Sequence, residues 1–402
     1  MNVTNMLKVK KLNDELIRSI LFRLGPISRI DIANMLSLTP PAVTSNIKTL
    51  LEQGYIREAQ KETGEKGLGR PKTALDINAE AGYLFGVEAG PYQTPVVVSN
   101  LKGQVVGQVL YPHCVSYEDF LDCCRNGIRH LSGTYNIPGD KVIGAGVCLP
   151  GLISRSGVIL RNAYNLWGNA SIKQDLQAKL DMRVCVENNS RSRAIAQELR
   201  LRNFKRESFL YYFVKRGVGC PLVCRTQANN DIFITNGEAG HMVIDANGPV
   251  CDACGQRGCI DSLASEWAVL HDCREAMMKG DAPVLATLCP DVSGLSFETI
   301  QKAKAMQDTF VVKEFRKVIE LLAIGLAGIA NVTSPDSIYV EARILDDEED
   351  KKTFETILRQ RIFKTKNDPV SITYVKPTVT SGAESAALVA LKRLFISQSY
   401  GL

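Results

Sequence analysis

The stretch Ser28–Gly54, SRIDIANMLSLTPPAVTSNIKTLLEQG, reads as two short helices joined by a tight turn. Ile30, Ile32, Ala33 and Leu36 give the first helix an apolar face, and Ser37-Leu38-Thr39 supplies the turn. Thr39 can cap the second helix, and Pro40 and Pro41 then fall in its first turn, where a missing N–H costs little. Val43, Ile47, Leu50 and Leu51 recur at helical spacing and are expected in the core. Pro41, Thr44, Ser45 and Lys48 are left facing outward. They are the candidates for reading the major groove of double-stranded DNA.

Past the helix pair, Gly54–Arg57 looks like a strand, 60–73 is a loop rich in Gly, Lys and Arg, and Ala74–Ile77 looks like the returning strand. A helix-turn-helix completed by a hairpin is a winged helix. In its loop, Gly69-Arg70-Pro71 can lay an extended backbone along a narrow minor groove, with the Arg70 guanidinium at the most negative potential. Residues 1–75 carry twelve Lys or Arg against seven Asp or Glu, an excess equal to the +5 of the whole chain. One basic end on a neutral body suits phosphate contact by that end alone.

With 402 residues, 45% of them hydrophobic, the chain can bury large cores and should form two or three domains. No run of 18 uncharged apolar residues is present, so no membrane helix is expected, and the N-terminus lacks an apolar signal core. Twelve scattered cysteines without a signal favour reduced thiols in the cytoplasm. From Gly82 the texture is α/β. Strands are expected over 82–110, 142–147, 184–186 and 209–214, with helices at 117–131, 172–180 and 191–202. This alternation predicts mainly parallel sheets with helices outside. Ligands of such folds collect at the carboxyl ends of strands, where Pro150-Gly151 and Asn188-Asn189 fall.

The sharpest chemical motif is Cys251-Asp-Ala-Cys254-Gly-Gln-Arg-Gly-Cys259, ten residues after His241. Three thiols and an imidazole complete a tetrahedral Zn2+ site, and with no position left for a reacting water the ion would be structural. Asp252 is a fallback for the first ligand.

A winged helix, Gly67-x-Gly69-Arg70-Pro71, Pro150-Gly151, Glu187-Asn188-Asn189, Gly237-Glu-Ala-Gly-His241, the Cys loop ending Gly258-Cys259-Ile-Asp261 and the closing TSGAESAALVAL at 380–391 together resemble the ROK family. That family comprises bacterial sugar kinases and transcriptional repressors, and this chain is similar to the repressor branch. The resemblance implies an actin-like, two-lobed body of the hexokinase type behind the winged helix. It would be divided as 1–80, 81–190 with the closing helix 383–402, and 191–382. It also implies that sugar hydroxyls are held by Asn188, Glu238, His241 and Asp261. Asn189 lies beside them, and Asn165 and the Pro150-Gly151 backbone supply wall contacts. Asp261 is one methylene shorter than the family's glutamate.

The same resemblance implies that kinase chemistry is gone. The family's catalytic aspartate corresponds to Asn189, and an amide cannot act as general base. The first phosphate turn corresponds to Glu88-Ala-Gly90-Pro91 and the second to Gly217-Val-Gly219-Cys-Pro221, where proline removes an N–H. The adenine-side Gly-Gly corresponds to Glu341-Ala342. The expectation is a sugar- or sugar-phosphate-responsive repressor acting as a homodimer or homotetramer. An active ATP-dependent sugar kinase with a DNA-binding appendage is the alternative.

Overall fold

A computed structural model describes residues 3–59, 73–154, 156–161, 167–202, 207–225, 232–363 and 369–397. The chain divides into two compact units, Met1–Phe204 with Val379–Leu402, and Lys205–Thr378. The winged helix therefore belongs to the first unit, and so does the helix that begins after Asn188.

The head begins with α1 (Val3–Leu24), a helix that the sequence patterns did not reveal, which buries Ile17, Ile20 and Leu21 at helical spacing. It leads into a short strand β1 (Ile27–Ser28) and then α2 (Arg29–Leu36). Ser28 caps α2 by accepting from the Asp31 N–H at 3.2 Å, and Ser37, in the left-handed region at φ 52°, ends it. Ile32 and Ala33 are buried, but Ile30 is 55% exposed, contrary to the expected apolar face. It lies two residues, about 200°, round the helix from Ile32.

The second helix, α3 (Pro40–Glu52), buries Val43, Asn46, Ile47 and Leu50, while Leu51 is only half-buried. Thr39 occupies the cap position without a side-chain cap bond. Pro40 and Pro41 carry no N–H, so a cap there has little to satisfy. Strands β2 (Ile56–Ala59) and β3 (Ala74–Ile77) pair antiparallel, and β1 joins the other edge of β3. The returning strand is thus central, and all four of its residues are buried.

The body of the first unit is built on β4 (Tyr83–Glu88), β5 (Gln93–Asn100), β6 (Val105–Pro112), β7 (Val142–Leu149) and β10 (Val184–Asn188), in the order β10-β7-β4-β5-β6. A small hairpin, β8 (Leu152–Ile153) with β9 (Ile159–Arg161), comes directly after β7. The connecting helices are α4 (Tyr117–Thr134), α5 (Ile172–Leu180) and α6 (Asn189–Arg200).

The second unit repeats the pattern. Its sheet holds β11 (Ser208–Val214), β13 (Leu222–Arg225), β14 (Ile232–Ile234), β15 (Ser337–Ala342) and β16 (Ser371–Tyr374), with β12 (Val218–Gly219) paired to β11. Its helices are α7 (Ile260–Ala264), α8 (Glu266–Lys279), α9 (Pro283–Leu288), α10 (Phe297–Ala305), α11 (Thr309–Thr333) and α12 (Glu348–Arg361). Among the described residues no helix is long and apolar enough to cross a membrane.

Each sheet is mixed rather than mainly parallel. A three-stranded antiparallel meander carries two further strands parallel to its first. The alternation of strands with helices applies only to the parallel half, and the meander is joined by tight turns such as the one at Gly103, φ 70°.

The chain closes with α13 (Ser381–Ala390), continued by a wider π-type turn over Leu391–Ile396. This helix lies on the first unit's sheet, where two strand glycines allow close approach. A Cβ at Gly86 would meet the Ala383 carbonyl at 1.9 Å, and one at Gly146 the Ala386 carbonyl at 1.8 Å.

Candidate functional site

On the head, Pro41, Thr44, Ser45 and Lys48 are all exposed along one side of α3, because Val43, Ile47 and Leu50 commit the other side to the core. The Lys48 ammonium is 3.8 Å from Glu52 one turn on, both well exposed, an arrangement that a phosphate displaces at little cost. Arg70 lies outside the described residues.

In the first unit, β4, β7 and β10 run parallel, and register places Glu88 opposite Cys148 and Asn188 opposite Leu149. Their carboxyl ends meet at one edge, as expected for a ligand-bearing sheet. Asn188 is buried and heavily engaged there. Its Oδ1 accepts from the N–H groups of Ser190 (2.8 Å) and Arg191 (3.1 Å) and from the Ser190 hydroxyl (2.7 Å), capping α6. Its Nδ2 donates to the Gly151 carbonyl at 2.9 Å, so these two expected site residues are in direct contact. Asn189 is partly exposed, and its Oδ1 accepts from the Ser190 N–H at 2.9 Å. Asn165 lies outside the described residues.

Beside them is an ion pair that sequence reading missed. Arg193 Nη2 donates to Glu88 Oε1 at 2.9 Å, both side chains 2% exposed, and Arg193 Nη1 donates to the Asn189 carbonyl at 3.2 Å. Gly382 of α13 leaves room for this carboxylate, since a Cβ there would come within 2.1 Å of Glu88 Cδ. The signal in the chain was only a glutamate at the end of an apolar strand.

In the second unit, His241, Cys251, Cys254 and Cys259 converge so that their ligand atoms all lie within 4.8 Å of one another. Cys254 Sγ is 3.5 Å from Cys259 Sγ, and Cys251 Sγ is 3.8 Å from His241 Nδ1. Tetrahedral bonds of about 2.3 Å would place ligand atoms about 3.8 Å apart, so the group fits a zinc-sized ion. Asp252 is exposed and stands outside the group. Gly258 makes the loop possible. At φ 69°, a Cβ on it would fall 1.5 Å from the Asp245 carbonyl oxygen. Burial and the neighbouring thiols push the Cys259 thiol up to about 12, so gathering these sulfurs as thiolates requires a cation.

His241 turns Nδ1 toward the thiols, which directs Nε2 away from them. Glu238, three residues earlier, is exposed at the start of the same turn. Desolvation pushes its carboxyl above the ordinary value, with Asp261 adding to the shift and His241 opposing it. Asp261 is bound internally. Its Oδ1 accepts from the Val218 N–H at 2.6 Å, and a Cβ on Gly240 would lie 1.9 Å from that oxygen. Burial pushes its carboxyl up to about 6 against the effect of that hydrogen bond. Asp261 thus supports the Gly217–Gly219 turn and the backbone beside His241. Glu341 is likewise buried and accepts from the Tyr211 hydroxyl at 2.6 Å.

A model of the ROK family matches residues 84–393, and one of a winged helix-turn-helix DNA-binding domain matches residues 13–57. The chain belongs to the ROK family. The xylose repressor of Bacillus subtilis (strain 168) is 26% identical over 347 residues, 86% of each chain. The DNA-binding transcriptional dual regulator NagC of Escherichia coli (strain K12) is 25% identical over 352 residues, 86% of this chain and 83% of its own.

Among solved structures, a ROK family transcriptional regulator described as a homolog of the E. coli MLC protein superposes with a TM-score of 0.77 at 23% identity. It covers 98% of this chain and 99% of its own. The ROK family glucokinase of Streptomyces griseus, solved with glucose and AMPPNP, gives 0.65 at 20% identity, covering 77% of this chain and 99% of its own. The fold is thus a winged helix-turn-helix joined to an actin-like, hexokinase-type ROK body.

Proposed function

We propose that this chain is a sugar-responsive transcriptional repressor that binds double-stranded operator DNA through its head and a sugar or sugar phosphate through its body. The observation that carries the reading is the union, in one chain, of an exposed polar face on α3 with a ROK body; the family resemblance would put Asn189 at the catalytic carboxylate position. The relatives named as xylose and N-acetylglucosamine repressors, similar over more than four-fifths of their length, support it. Pro41, Thr44, Ser45 and Lys48 would enter the major groove and Arg70 the minor groove. Gly151, Asn165, Asn188 and Asn189 on the first unit, and Glu238 and His241 on the second, are the groups proposed for sugar hydroxyls. Asp261 would act through the backbone it holds.

The absence of kinase activity is part of the proposal. The family pattern would bring the adenine side of a nucleotide to Glu341-Ala342, and the Glu341 carboxylate is committed there to the Tyr211 hydroxyl. A fixed carboxylate repels polyphosphate, and its internal partner makes its removal costly. His241, Cys251, Cys254 and Cys259 would hold a structural Zn2+, whose role is to fix the loop and the orientation of His241. Such a repressor would be cytoplasmic and homodimeric or homotetrameric. Two heads about 34 Å apart would read a pseudo-palindrome.

The test is selection of bound duplexes from a random pool, and then anisotropy titration with and without D-xylose or N-acetyl-D-glucosamine. A sugar-dependent change in affinity, with no sugar-dependent ADP release, is the expected result. ADP release that tracks added sugar would overturn the non-catalytic reading.

A further inference from the structure

The first unit contains a joint between head and body that the sugar-and-DNA reading does not use. Arg23, in the last turn of α1, donates through Nη2 to Glu198 Oε1 at 2.5 Å and through Nη1 to the Leu201 carbonyl at 2.9 Å and the Glu198 carbonyl. Both side chains are almost fully buried, at 4% and 1% exposure. A guanidinium on two carbonyls at the end of α6 also complements the negative end of that helix. Glu198 has a second cation, Lys392 Nζ at 3.0 Å, from the closing segment of the chain. Four residues after Arg23 the chain enters β1 and then the helix-turn-helix.

Its geometry is that of a rod between two ends. α6 starts at Asn188 and Asn189, the first unit's proposed effector residues, and ends about 18 Å away at Glu198 and Leu201. Eight of its twelve residues are buried, so it moves as one piece or not at all. Its N-terminal half is tied to β4 by Arg193 and Glu88, and its last turn to the head by Glu198 and Arg23.

We propose that Glu198 and Arg23 are positioning residues that transmit effector binding to the DNA-binding head, with α6 as the lever; this rests on the repressor reading. Arg18 supplies a second strut, donating to the Phe395 carbonyl at 2.7 Å, and Tyr55 of the head meets the Phe395 ring edge-on at 5.2 Å. Those contacts reach the closing segment, which touches α6 through Lys392 and Glu198, so Arg23 is the strut that meets α6 directly.

The second cation makes the proposal testable without unfolding the protein. In Arg23→Met, Glu198 keeps Lys392, so no buried carboxylate is orphaned. In Lys392→Met, Glu198 keeps Arg23. A merely structural cluster would make the two variants alike, whereas a joint makes them differ. Operator affinity is read by anisotropy on a selected duplex, with and without D-xylose and N-acetyl-D-glucosamine, and amide exchange is measured over residues 16–24. In Arg23→Met the sugar-induced change should shrink to within about twofold of none, and exchange over residues 16–24 should rise about tenfold. Lys392→Met should keep both near wild type. Full sugar response in Arg23→Met, or equal losses in both variants, overturns the joint. If the wild type answers no sugar, the repressor reading falls, and unchanged exchange in Arg23→Met then independently defeats the joint.

Discussion

Cys254 and Glu238 show how differently two residues of one loop region can act. Cys254 is one corner of a four-ligand group whose other members are partly or wholly buried, and replacing one thiolate leaves three ligands and an open edge. Cys254→Ser should lower bound zinc well below one per chain, as measured by elemental analysis of purified protein, and lower Tm with it. Glu238 is exposed and forms no side-chain cap bond to its own turn. Glu238→Ala should therefore keep unfolding stability within about 0.5 kcal/mol of wild type and keep operator affinity, while abolishing the sugar-induced change. A Glu238→Ala protein that responds normally in the anisotropy titration would remove Glu238 from the effector group. Asp261 has the opposite character: its carboxylate is committed to Val218, which a reading based on residue type could not reveal.

At the level of elements, α6 is held by charge at each end, and Glu187 shows what that means for stability. The strand-end carboxylate of Glu187 is buried, accepts from Arg191 Nε and the Asn188 N–H at 2.9 Å each, and pairs with Arg393 of the closing segment. Burial acts to raise its carboxyl, but Arg393, Arg191 and the hydrogen bonds outweigh it and hold the group below its ordinary 4.5. A folded value below the unfolded one means the native state favours the ionised form. That contribution is complete above about pH 4.5 and disappears as pH falls through the lower folded value. Glu187→Gln should cost about 1–3 kcal/mol in urea unfolding at pH 7, and the difference from wild type should narrow below about pH 4.5. A gap that stays constant down to about pH 3 would mean that packing, not charge, accounts for the loss.

For the molecule as a whole, the basic head on a neutral body predicts that salt governs DNA binding. Arg70→Ala should weaken binding across many duplex sequences and reduce the slope of log K against log salt by about one unit. A loss confined to one sequence, with the slope unchanged, would make Arg70 a base reader instead. The head does not stand apart from the body: α1 is tied to α6 and the closing segment, and Lys102 of the first lobe pairs with Asp76 of β3 at 2.5 Å. Tyr55 and Phe395 add an aromatic contact. If the proposed joint couples the two ends, reciprocity requires that operator binding change effector affinity by the same factor as effector changes operator affinity.

Local chemistry was legible in the chain. Helical spacing at Val43, Ile47 and Leu50, turn residues between the two head helices, and cysteines spaced for a metal all act over a few residues, and the structure places them as their spacing requires. The antiparallel halves of both sheets were not legible, because the apolar runs of a meander strand and a parallel strand look alike. The fate of Ile30, the Glu88–Arg193 pair and the Arg23–Glu198 joint depends on residues 105 to 175 positions apart, or on which side of a short helix meets the core. Sequence determined which groups were available; only tertiary packing decided which became partners, because desolvation leaves a buried charge no alternative to the nearest opposite one.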